Sequence, residues 1–64
     1  MRIDRIKLIT EMARAEIGCG ELAQLAGVSR ATVSAVKGGK TCSMTTAVKL
    51  SGVLGVPLER ILED

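Results

Sequence analysis

Apolar residues recur at helical spacing along the whole chain, and no segment alternates for long enough to predict a strand. Over residues 3–17 the spacing sets Ile3, Ile6, Ile9, Ala13 and Ile17 along one stripe. Lys7, Glu11 and Arg14 fall opposite, as on a surface helix. Leu8, Met12 and Ala15 form a second apolar group off that stripe, suited to packing on the last helix or to meeting a partner. Gly18 and Gly20 then interrupt the pattern. A short helix follows, Glu21 to Ala26, and Gly27 stops it. Ser29 offers an N-cap for a third helix, Arg30 to Lys37, which Gly38 and Gly39 end. Thr41 or Ser43 can cap a fourth helix that keeps Met44, Ala47, Val48, Leu50, Ser51 and Leu54 inward and stops at Gly55. Pro57 suits the first turn of a last short helix with Leu58, Ile61 and Leu62. The expected fold is all-α: a compact five-helix bundle with short loops, forming a single domain over residues 1–64.

Within that bundle, residues 19–38 combine a short helix, a tight turn at Gly27 and a capped second helix. This is the arrangement of a helix-turn-helix. Ala23 is small where the two helices must cross closely, and Gly27 can take positive φ in the turn. Leu22, Val28, Val33 and Val36 supply a shared core. Two of these features alone would fit any small helical hairpin; all of them in register point to the motif.

Composition narrows the chemistry. A chain of 64 residues lies near the lower limit for folding without a staple. It has no Phe, Tyr, Trp or His, so Ile, Leu, Val, Ala and Met must build the core. No apolar run is long enough to span a membrane, and the charged start Met1–Arg5 lacks the apolar stretch of a signal peptide. The expected compartment is the cytoplasm. Cys19 and Cys42 have no His or third Cys to complete a zinc site, so they read as reduced thiols. Spacing alone leaves a disulfide between them open. Without His, paired carboxylates or a metal set, the expectation is no enzyme, no metal and no cofactor.

Net charge is only +2, but its distribution is uneven. Residues 22–58 contain Arg30, Lys37, Lys40 and Lys49 and no acid. Such a stretch can present a basic face to a polyanion. Two short patterns in it point elsewhere and fail. Gly39-Lys40-Thr41 matches the end of a phosphate-binding loop, but Ser34 stands where its first glycine belongs, and a helix precedes it instead of a strand. Ser34 and Lys37 match an S-x-x-K pattern of serine acylases, without the partner motifs of such a site.

The stretch ELAQLAGVSRATVSAVKGGK resembles the helix-turn-helix of the phage Cro/repressor-type (XRE-like) DNA-binding proteins, and TTAVKLSGVLGVPLERIL resembles the last two helices of that family. The resemblance covers residues 6–62 and implies a fold of the lambda-repressor-like type. It implies a sequence-specific transcriptional regulator, a repressor of a phage or mobile element, whose helix at residues 30–37 enters the major groove of double-stranded DNA. Helical geometry then sorts the side chains. With Val33 and Val36 buried, Ala31, Ser34 and Ala35 point away from the core and Arg30 lies toward one flank. Arg30 could make a bidentate contact to guanine, and Ala31 or Ala35 could touch a thymine methyl. Lys37, Lys40, Thr32 and Thr41, with amides around Gly20 and Ser43, are phosphate candidates, and Ser29 completes the set at the helix start.

Two positions depart from the family. Cys19 stands where a Gln often braces the reading helix, and Gly20 replaces a better helix former. With small residues on the outer face, they imply modest direct readout, helped by DNA shape or a second subunit. A homodimer, through the second apolar group of the first helix or through Leu58, Ile61 and Leu62, is left open. No small-molecule ligand or membrane partner is expected. The alternative is a protein-binding helical module, an antitoxin or adaptor, that keeps the fold without reading DNA.

Overall fold

A computed structural model of the chain describes residues 1–63. It contains α1 (Arg5–Ala15), α2 (Cys19–Ala26), α3 (Arg30–Lys37) and α4 (Met44–Leu54), followed by a 3-10 turn at Leu58–Arg60. Three of the four helices start at a side-chain cap that satisfies amides with no partner inside the helix. Asp4 accepts from the amides of Ile6 at 2.9 Å and Lys7 at 3.0 Å. Ser29 accepts from Thr32 at 3.0 Å, and Ser43 from Thr46 at 3.1 Å. Ser43, not Thr41, is therefore the cap of α4. The exception is α2, which starts at Gly18 with no side-chain cap.

The helices enclose one apolar core. α2 packs on both α3 and α4, α1 lies against the same two helices, and the 3-10 turn closes on α4. Ile3, Leu8, Leu22, Val33, Val36, Leu50 and Ile61 are the largest fully buried side chains. All are aliphatic, as the absence of aromatic residues requires. Among the described residues no helix is long and apolar enough to cross a membrane. Cys19 and Cys42 are free, half-buried thiols. Burial pushes the Cys42 thiol up, and the nearby N-terminal amino group partly opposes the shift.

The first helix departs from the sequence expectation. It begins after Ile3 and buries two of its second apolar group: Leu8 and Met12 are core and Ala15 is exposed, while Ile6 is 62% and Ile9 40% exposed. Ala13 is exposed and Ile17 half-buried. Glu11, expected outside, is buried, with its Oε2 3.8 Å from a guanidinium nitrogen of Arg14 and 3.8 Å from one of Arg60. The cause lies before the helix. Ile3 pairs with Leu62 in an isolated antiparallel bridge, and the Asp4 amide donates to the Ile61 carbonyl at 2.8 Å. That pairing takes Ile3 out of the helical register and fixes how α1 is rotated. Leu8, Met12 and Ile61 are consequently closed to a dimer partner.

The other differences are smaller. In α4, Ala47, Leu50 and Ser51 are buried and Leu54 is half-buried, but Met44 is 63% and Val48 50% exposed. Val48 lies about 100° around the helix from Ala47, beyond the width of the buried face. The expected fifth helix is a single 3-10 turn, preceded by Pro57 and ended by the extended pairing of Leu62 with Ile3.

Candidate nucleic-acid interface

The turn between α2 and α3 sets the site. Gly27 adopts φ 72°, ψ 30°. Its amide donates to the Gln24 carbonyl at 3.3 Å, and the Val28 amide reaches back to Ala23 at 3.0 Å. These bonds satisfy carbonyls at the end of α2 and reverse the chain within two residues. Ala23, only 4% exposed, lets the two helices approach closely. Val33 and Val36 then hold α3 to the core, leaving its opposite face to solvent.

That face carries most of the sequence-derived residues. Arg30, Ala31 and Ser34 are exposed, and Ala35 is half-buried at the border. Ser29 and Thr32 are joined, their hydroxyl oxygens 2.8 Å apart beside the capping bond. Each therefore has part of its hydrogen-bonding capacity already used. Lys40 and Thr41 are exposed on the loop after α3. That loop is anchored at its start by the Lys40 amide, which donates to the Ala35 carbonyl at 3.0 Å.

Lys37 is placed differently from a side chain trailing off the helix. It is half-buried, and its ammonium donates to the Cys19 sulfur at 3.6 Å. Arg30 also leans on the same turn: a methyl group added at Gly20 would lie 4.0 Å from its Nε. Two cations thus converge on the uncapped first turn of α2. Helix N-termini carry partial positive charge and free amides, so cations there are electrostatically misplaced on their own. The same arrangement attracts an anion, because amides, dipole and the Lys37 ammonium then act together. Cys19 offers a compact acceptor to Lys37, and Gly20 lies beside the Arg30 side chain. In the sequence they stand out only as departures from a family pattern. Their signal would have been small residues at an uncapped helix start, facing basic residues 10 and 18 positions away.

The two competing patterns do not form sites. Gly39, Lys40 and Thr41 follow the end of α3 instead of a strand. Lys37 turns to Cys19 while Ser34 stays exposed. Among the described residues no group of three or more His, Cys, Asp or Glu is placed to hold a metal ion.

Comparison with known proteins agrees with this geometry. A helix-turn-helix family model matches residues 20–61. A point mutant of hydroxyethylphosphonate dioxygenase contains a similar unit, with a TM-score of 0.88 and 26% identity over 100% of this chain and 14% of that one. Native PhpD with cadmium atoms matches with a TM-score of 0.86 and 25% identity, again over 100% of this chain and 14% of that one. The chain therefore spans 14% of the length of these solved structures. No curated protein matches it.

Proposed function

The chain belongs to the Cro/repressor-type helix-turn-helix family, a family of DNA-binding regulators, and from that premise we propose that it reads double-stranded DNA through α3 in the major groove. It acts as a cytoplasmic transcriptional repressor of a phage or mobile element, and residues 1–64 form one DNA-binding domain without cofactor or catalysis. The observation that carries this reading is Lys37 held at the uncapped start of α2, beside the open face of α3 that carries Arg30. A DNA phosphate is an anion suited to that place. It fixes the register, while the exposed face of α3 meets the base edges.

The roles divide accordingly. Arg30 is the long donor on the reading face and recognises guanine; Ala31 and Ala35 permit close approach and meet thymine methyls; Ser34 can serve either base edge. Lys37, Lys40, Thr41, Ser29 and Thr32 belong to the phosphate set. The small outer face leaves part of the specificity to DNA shape.

Selection from a random duplex library tests the reading. An enriched motif is expected. Against it, Arg30→Ala should lose about 1–3 kcal/mol of discrimination at one base position. Lys40→Ala should weaken all sequences alike and lower the salt slope by about 1. An inverted repeat would establish a homodimer with half-sites about one helical turn apart; a single half-site, a monomer. No enrichment, even at low salt, would overturn the DNA reading in favour of a protein-binding module.

A further inference from the structure

The basic loop after α3 is tied down by a segment that lies outside the helix-turn-helix. Residues 1–4 run extended between that loop and the C-terminal segment. The Arg2 guanidinium donates to the Gly39 carbonyl through Nε at 3.4 Å and Nη2 at 3.3 Å. One residue back, the Met1 carbonyl accepts from the Cys42 amide at 2.9 Å. These two tethers, at Gly39 and Cys42, bracket Lys40 and Thr41. On its other side the same segment is fixed to the C-terminal residues. The Glu63 amide donates to the Arg2 carbonyl at 3.1 Å, and the Glu63 carboxylate lies 3.6 Å from Arg2 Nε. The carboxylate lies beside the same Nε that reaches Gly39, so the guanidinium sits between the two partners.

We propose that Arg2 is a positioning residue for DNA binding, holding the 39–42 loop so that Lys40 and Thr41 are presented to the phosphate backbone. This role rests on the DNA reading and adds to it a residue 37 positions from the carbonyl it holds. Arg2 is engaged by Gly39 and Glu63, so its charge is not what meets phosphate. Its contribution is order in a loop that contains two adjacent glycines and would otherwise sample many conformations.

The test measures affinity for the selected duplex over a salt series. Arg2→Met keeps the stem and removes every donor. Arg2→Lys keeps the charge without the fork. Arg2→Met is expected to weaken binding about five- to tenfold with an unchanged salt slope. In the Lys40→Ala background the same change should cost less than about twofold, because there is then no Lys40 to position. Arg2→Lys should fall between Arg2→Met and the parent. A slope lowered by about 1 would make Arg2 a phosphate contact and overturn the inference. Losses that multiply independently of Lys40 would overturn it too, as would parental affinity in Arg2→Met. In each of those cases the DNA reading stands, because the parent still binds. Failure of the parent to bind any duplex would sink both.

Discussion

Two turns in this molecule are built almost identically and lead to different ends. Gly27 closes α2 at φ 72°, ψ 30°, and Gly55 closes α4 at φ 71°, ψ 30°. In each, the glycine amide donates three residues back, at 3.3 and 3.2 Å, and the following valine reaches five residues back, at 3.0 and 3.1 Å. The chains diverge at the next residue. After Val28 comes Ser29, which caps a full α-helix whose outer face is open to solvent. After Val56 comes Pro57, which offers no side-chain cap, and the chain makes a single 3-10 turn before Ile61 returns to the core. A glycine cap sets where a chain turns; the residue two positions later decides what the turn presents. Here one copy presents a helix with an open face and the other seals the bundle.

Substitutions made in pairs can break or sharpen that comparison. The largest effects belong to the anchors of the helices that enter the two turns. Leu22→Ala in α2 and Leu50→Ala in α4 each remove a fully buried side chain and should cost about 2–5 kcal/mol in chemical denaturation. That is a large part of the stability available to so small a domain. A loss well below about 1 kcal/mol at either would show that its helix is not anchored as described.

The turns themselves come next. Gly27→Ala and Gly55→Ala should each cost about 1 kcal/mol, since an added methyl meets nothing within 4 Å and only the backbone conformation is penalised. Clearly unequal costs would mean that the two turns are not equivalent. The residues at which the two segments diverge come last, the serine cap matching a glycine in size of effect and the proline falling below it. Ser29→Ala should lose about 1 kcal/mol through the cap. Pro57→Ala should lose about 0.5 kcal/mol, through greater freedom of the unfolded chain. Thermal melts of the two variants would rank them.

The helix-turn-helix was legible in the sequence because its signals are local. Ala23, Gly27, Ser29 and the Val33/Val36 pair all act within a few residues of one another. α1 was not legible in the same way. It carries two apolar groups, and periodicity cannot say which faces inward; the Ile3–Leu62 bridge decides, across most of the chain. The site divides along the same line. Arg30 and Lys40 could be picked from charge and spacing, and the exposed side of α3 follows from Val33 and Val36. The bend of Lys37 toward Cys19 depends on how two helices cross. Arg2 has no helical pattern around it, and its partners Gly39 and Glu63 are distant in sequence.

The Ile3–Leu62 bridge has a consequence beyond rotation of the first helix. It places the beginning and the end of the described chain side by side. A unit whose ends meet can be spliced into a surface loop of another protein while its host closes over a short gap, as domain insertions require. Such a unit is portable: it needs no stretching at either junction, and none of the exposed residues of α3 takes part in making it.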